Sequence, residues 1–320
     1  MLKKTPSIRF TDHVKLLAII SACIIVAGLL FSVVFGVDLD ISFKGGTQIK
    51  FSYVDDKDAF DTEGLKAMVD EALGVKTEAA DATTYDGERQ LQTVTFYTTE
   101  SIDSEKTDAV EKAAAEKYAD FELAHVSTNS LSPTMGHKFL LKCVVAVALA
   151  AILLLVYVAF RFRKIGGLSA GVFAIMALAH DMLIAYLAFV VFRIPLNDNF
   201  VAVMLSLLGY SLNDTIVIFD RVRENRRLDG GKTPIAAIVN KSVNQSFIRT
   251  LNTSITTVLA IGTVTVLAFI NGMDAIISFA LPMTLGVVSG FYSSVFLCTP
   301  LWSKWIEHKE KKAAAKPKKK

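Results

Sequence analysis

The stretch Leu16–Val37, LLAIISACIIVAGLLFSVVFGV, runs 22 residues without a charge. About twenty apolar residues in a helix cross the hydrocarbon core of a bilayer. Five further runs have the same character: Phe139–Phe160, Leu168–Phe192, Phe200–Phe219, Phe247–Ile270 and Ala275–Thr299. Helices in a soluble core rarely stay apolar for so long, so the set reads as six membrane spans. Lys3, Lys4, Arg9 and Lys15 precede the first run, as in a signal peptide. The run is too long for a signal-peptide core, and no small-x-small cleavage site follows Val33-Val34-Phe35, so it reads as an uncleaved anchor.

A net charge of only +3 conceals a strong asymmetry. Between Val37 and Gly136 there are 21 Asp and Glu against nine Lys and Arg. The basic clusters lie elsewhere: the N-terminus, Arg161-Phe162-Arg163-Lys164, Arg221 to Arg227 with Lys232 and Lys241, and the tail Lys304–Lys320. Short Lys- and Arg-rich loops stay on the cytoplasmic side. These clusters fall on alternate loops, which predicts both termini inside and the acidic segment outside. The expected organisation is a cytoplasmic N-terminus at 1–15, a first span at 16–37, an exported domain at 38–136, spans two to six at 137–303 and a basic cytoplasmic tail at 304–320. The tail reads as topology-setting charge that meets anionic membrane lipids, not as a nucleic-acid site. Cys23, Cys143 and Cys298 sit in or beside apolar runs, so no disulfide framework is expected.

The exported segment has the length of a domain. Thr47–Val54 and Leu91–Thr98 alternate apolar with polar residues and read as half-buried strands, with Phe121–Val126 a weaker third. Asp61–Leu73 and Ser104–Tyr118 have helical spacing, and Tyr85-Asp86-Gly87 marks a turn. Strand, helix, strand, helix, strand predicts a small α+β fold of ferredoxin-like kind. His125 stands alone and reads as a surface or packing residue.

Charges inside membrane spans are costly and mark function by default. Asp214 lies in the fourth span, in Gly209-Tyr210-Ser211-Leu212-Asn213-Asp214, with Ser211 on its face. Arg249 opens the fifth span and shares a face with Thr253, Thr256, Ala260 and Thr263. That face has no place against lipid and is expected to point into the bundle. Asp214 and Arg249 occupy the same third of consecutive spans, a depth at which carboxylate and guanidinium could pair as part of a proton relay. Asp181 lies near the middle of the third span, as a relay member or a helix–helix hydrogen bonder. His180 beside it reads as a packing hydrogen bonder. Gly167-x-x-x-Gly171 and Gly286-x-x-x-Gly290 permit close helix approach.

These residues carry a family resemblance. Gly209–Asn225, GYSLNDTIVIFDRVREN, resembles the signature of the SecF family of protein-export membrane proteins, within the resistance-nodulation-division superfamily. Gly45, Gly46 and Thr47 resemble the element that opens that family's exported domain. ALAHD at Ala177–Asp181 resembles its third-span pattern, and Arg249-Thr250-x-x-Thr253-Ser254-x-Thr256-Thr257 its fifth. The resemblance implies a bacterial-type plasma membrane protein acting with SecD and the SecYEG channel on translocating preproteins. It implies a proton or sodium gradient as the energy source, with Asp214 and Arg249 as coupling residues, Asp181 as a third, and Gly209, Asn213, Thr253 and Thr256 as motif positions. No nucleotide-binding or hydrolase motif occurs, so neither an enzyme nor a cofactor is expected. Two other readings remain: an ion-coupled small-molecule exporter, disfavoured by the single six-span half, and a passive assembly scaffold.

Overall fold

A computed structural model describes residues 8–54, 60–86, 89–230 and 232–314. Six helical stretches are long and apolar enough to cross a membrane. The first is α1 (Phe10–Phe35), and a one-turn helix α2 (Ile41–Lys44) follows it. The α+β domain comes next, as β1 (Gly46–Tyr53), α3 (Thr62–Leu73), β2 (Glu78–Asp86), β3 (Arg89–Thr98), α4 (Ser104–Lys117) and β4 (Ala124–Leu131). The remaining spans are α5 (Pro133–Arg161), α6 (Gly167–Val191), α7 (Asp198–Asp229), α8 (Ile235–Ile270) and a last stretch made of α9 (Asp274–Tyr292), a π-helical segment (Ser293–Cys298) and α10 (Thr299–Ala314).

The domain is a four-stranded antiparallel sheet in the order β2-β3-β1-β4, the ferredoxin-like arrangement. Alternation places Ile49, Phe51, Val94 and Phe96 on one face, and Leu65 and Val69 of α3 with Val110 and Ala114 of α4 close over them. The sequence reading omits β2, because Glu78–Asp86 (EAADATTYD) is rich in Ala and Asp, residues poor in strand propensity. This strand is an edge, stabilised by its ladder to β3. The strand expected at Phe121–Val126 begins later and runs to Leu131, because a 3₁₀ turn occupies Ala119–Phe121. Gly87 of the expected turn lies outside the described residues, and Asp86 pairs with Arg89 on either side of it. His125 sits on β4 with Nε2 3.0 Å from Glu111 and 2.8 Å from Thr128, a polar surface contact.

Within the bundle, α6, α7 and α9 are central, and α1, α5 and α8 flank them. At about 1.5 Å per residue, α7 and α8 are roughly 48 and 54 Å long, well beyond the roughly 30 Å of hydrocarbon. The basic segment after the fourth span is therefore not a loop but a helical extension. It is held as a hairpin by Asn225, which donates to Ser242 at 2.8 Å and Gln245 at 2.9 Å. Asn244 of α8 donates to the Ile8 carbonyl at 2.8 Å and accepts from the Ile8 N–H at 3.0 Å, anchoring the chain entering α1. The three cysteines are free.

The Gly45-Gly46-Thr47 element joins the domain to the bundle. Both glycines have positive φ, at +77° and +126°. A Cβ at Gly45 would lie 2.4 Å from the Pro133 Cα, where α5 starts, and one at Gly46 would lie 2.2 Å from the Thr98 carbonyl oxygen. Thr47 donates to the Glu100 carbonyl at 2.9 Å and accepts from the Ile102 N–H at 2.9 Å. These three residues let the chain leave α1 and enter the sheet beside the start of α5.

Candidate functional site

Asp181 of α6 is fully buried and surrounded by donors. Ser211 of α7 donates to its Oδ2 at 2.5 Å, as does Ser293 of the π-helical segment at 2.7 Å. Ser289 of α9 donates to Oδ1 at 2.6 Å, and His180 Nδ1 lies 3.0 Å from the same oxygen. His180 Nε2 in turn meets the Ser21 hydroxyl of α1. A buried carboxylate persists only when hydrogen bonds satisfy its lone pairs. One carboxylate thus ties three spans together directly and a fourth through His180.

Several of these partners were hidden in the sequence. Helical spacing places Ser211 on the face of Asp214, yet it serves Asp181, because residues three apart on a helix still diverge by about 60°. Ser289 and Ser293 are four apart in an apolar run, and Gly286 and Gly290 on the same helix let it approach α7. A Cβ at Gly290 would sit 3.2 Å from that of Ser211. The π-helical turn widens the helix by about one residue per turn, so that Ser293 and Ser294 both reach inward. Ser294 pairs with Thr215 of α7 at 2.8 Å.

Asp214 is buried between α7 and α8, where the Ser254 hydroxyl donates to it at 3.3 Å. Tyr210, one turn earlier, donates to the same Ser254 at 3.4 Å. Asp214 therefore meets a neutral hydroxyl where an arginine was expected. Among the described residues no ion pair joins Asp214 to Arg249, whose side chain is exposed. The geometry of α8 explains the difference. Ser254 marks the level of Asp214, and Arg249 lies five residues before it, about 7.5 Å lower and turned by about 140°.

The face expected to point inward behaves likewise. Thr253 is half-buried, and Arg249, Thr256, Ala260 and Thr263 are exposed on the flank of the bundle. Thr253 and Thr256 donate to the helix's own carbonyls at Arg249 and Asn252, both at 3.0 Å. The buried side of α8 instead carries Ser246, Thr250, Ser254 and Thr265. On α7, Gly209 and Asn213 are exposed on one face, and a Cβ at Gly209 would meet nothing within 4 Å. Among the described residues two intramembrane polar features stand out: a closed one around Asp181, and an open one along the exposed faces of α7 and α8. The closed feature is a carboxylate, three serine hydroxyls and an imidazole, and the buried side of the α7–α8 contact pairs the Asp214 carboxylate with the Ser254 hydroxyl, groups that can exchange hydrogen bonds and protons.

Residues 110–308 match the family described as protein export membrane protein SecD/SecF, C-terminal. The chain is 35% identical over 268 residues to the protein translocase subunit SecF of Sebaldella termitidis, covering 83% of this chain and 81% of that one. It is 33% identical over 297 residues to the SecF of Alicyclobacillus acidocaldarius, covering 92% of each. Against the SecDF subunit of Bacillus subtilis the identity is 31%, over 96% of this chain and 39% of the other. In three dimensions it is similar to a crystal structure of SecDF, a translocon-associated membrane protein, from Thermus, with a TM-score of 0.77 and 27% identity, over 96% of this chain and 40% of that one. Fold, topology and sequence agree, and the chain belongs to the SecD/SecF family of protein-export membrane proteins, aligning with its SecF members along most of their length.

Proposed function

We propose that this chain is the SecF-type subunit of the accessory complex of the Sec translocase, and that it works beside a SecD-type partner. In that role it couples a transmembrane gradient of protons or sodium to the movement and release of preproteins at the SecYEG channel. It is neither an enzyme nor a cofactor carrier. Its membrane is the bacterial plasma membrane, with both termini cytoplasmic and the α+β domain outside, as the distribution of basic residues favours.

The observation that carries this reading is the open polar flank of α8. An arginine along a spanning helix is costly against lipid and faces protein or water. In the single chain Arg249, Thr256 and Thr263 are exposed, with Asn213 exposed on neighbouring α7. A partner's spanning helices fit there. The SecDF relatives, of which this chain covers about two fifths, have room for such a sister half in one polypeptide. Asp214 is buried at the α7–α8 contact, so a proton or cation reaching it would alter the charge between these two helices.

Two measurements test the proposal. Arg249→Ala should reduce co-purification of a SecD-type partner in mild detergent or abolish gradient-driven export, while the protein still inserts. Wild-type partner recovery together with wild-type export would remove the partner seam from the account.

A further inference from the structure

At the end of the bundle remote from the α+β domain, a cavity of about 1030 Å³ opens between the α5–α6 connection and the last turns of α7. Its walls carry Arg161, Arg163, Lys164, Arg223, Arg226 and Arg227, against two carboxylates, Asp220 and Glu224. The carboxylates are already engaged. Asp220 pairs with Arg161 at 2.9 Å and Arg223 at 2.6 Å, and Glu224 with Arg221 at 2.6 Å. Arg226 reaches Glu310 at 3.9 Å. Among the described residues Arg163, Lys164 and Arg227 have no carboxylate within ion-pair distance, and all three are exposed. Like charges gathered around one concavity repel one another unless an anion joins them.

What the anion is attached to follows from the adjoining surface. A second hollow of about 700 Å³ shares Phe160 and Arg163 with the first and is lined by Val156, Leu168, Trp305 and Ile306. Phe160 and Leu168 are 73% and 69% exposed there. The Lys309 ammonium lies 5.2 Å from the Trp305 ring centre, the pairing of aromatic and base found where a spanning helix leaves the bilayer. A basic cavity that continues into an apolar trough at the membrane surface matches a molecule with a phosphate at one end and hydrocarbon at the other. Basic pockets between spanning helices at this level bind anionic lipid headgroups.

We propose that this is a binding site for an anionic phospholipid. Its phosphate sits among Arg163, Lys164 and Arg227, and an acyl chain lies along Phe160, Leu168 and Trp305. The site is separate from both intramembrane polar features, and it does not depend on the coupling mechanism.

The test uses the full-length protein in detergent, with native mass spectrometry reading the bound lipid. The probes are dioleoyl phosphatidylglycerol and dioleoyl phosphatidylcholine, with inorganic phosphate as a soluble competitor. Wild type should retain phosphatidylglycerol in preference to phosphatidylcholine, and millimolar phosphate should not displace it. Replacing Arg163, Lys164 and Arg227 by Ala should weaken retention by roughly fivefold for each base removed, the effect expected of one Lys or Arg at an anionic surface. Removing residues 315–320 should change little. Unchanged retention in the triple variant would overturn the proposal, as would loss on deleting the tail alone. Complete displacement by phosphate would make it a site for a soluble anion and would equally overturn it. Circular dichroism of the triple variant guards against misfolding, and Lys substitution at Arg163 and Arg227 should restore most of the retention.

Discussion

Asp181→Asn isolates the buried knot that ties α6 to its neighbours. The carboxylate accepts from Ser211 and Ser293 on one oxygen and from Ser289 on the other, beside His180. An amide keeps one acceptor oxygen and turns the other position into a donor, so about half of these bonds must reverse or break. Hydrogen bonds between spanning helices contribute about 0.6 kcal/mol on average and at most about 1.7 kcal/mol, because the unfolded chain in the membrane also finds partners. The loss of two predicts about 1–3 kcal/mol, with little change in volume. The assay is a double-mutant cycle of Asp181→Asn with Ser293→Ala, read from reversible unfolding in mixed detergent micelles. A coupling energy of about 0.6–1.7 kcal/mol is expected between the two sites. A coupling of zero, with Asp181→Asn as stable as wild type, would refute the claim that this carboxylate holds the bundle together.

Two further predictions address the junction and the orientation. Gly45→Ala adds a Cβ 2.4 Å from the Pro133 Cα at a backbone φ of +77°, so it should destabilise by about 1–3 kcal/mol or more and displace the domain from the bundle. A melting temperature equal to wild type would show that the chain can move there at no cost. Single cysteines at Glu71 of α3 and Leu228 of α7 should label oppositely with an impermeant thiol reagent on intact cells, Glu71→Cys reacting and Leu228→Cys not. Labelling of the Leu228→Cys site alone would invert the proposed topology.

The spans were the most legible part of the chain, because a bilayer imposes length and hydrophobicity directly on the residues. Four of the six elements of the α+β domain were legible from alternation or helical spacing, β4 was misplaced by three residues at its start, and β2 was not read at all. Its residues have no strand preference of their own, and the ladder with β3 alone decides them. The buried carboxylates were legible as costly charges, but their partners were not. Ser211, Ser254, Ser289 and Ser293 are ordinary small residues in apolar runs. Their roles depend on how close the helices approach and on a π-helical turn that changes which residues face inward. The Asp214–Arg249 pair does not form for a simpler reason: distance along the sequence from a span's end is not depth, because α8 begins well before its apolar run. The inward orientation of the Arg249 face assumed that one chain completes its own bundle. In the proposed complex, a seam with a partner along α8 breaks that assumption.

The central claim is that Asp214 carries the coupling charge. It is buried at the α7–α8 contact, where the Ser254 hydroxyl donates to it. Each elementary charge crossing a 100 mV potential supplies about 2.3 kcal/mol, comparable with the energy of helix repacking. Asp214→Asn removes the exchangeable charge, keeps the size and leaves Ser254 a partner, so insertion and partner assembly should persist. The decisive measurement is translocation of a preprotein into vesicles carrying the complex, with and without an ionophore. The account predicts that wild type loses its stimulation when the gradient is collapsed and that Asp214→Asn has none to lose. Wild-type stimulation by the gradient in fully assembled Asp214→Asn complex would contradict it.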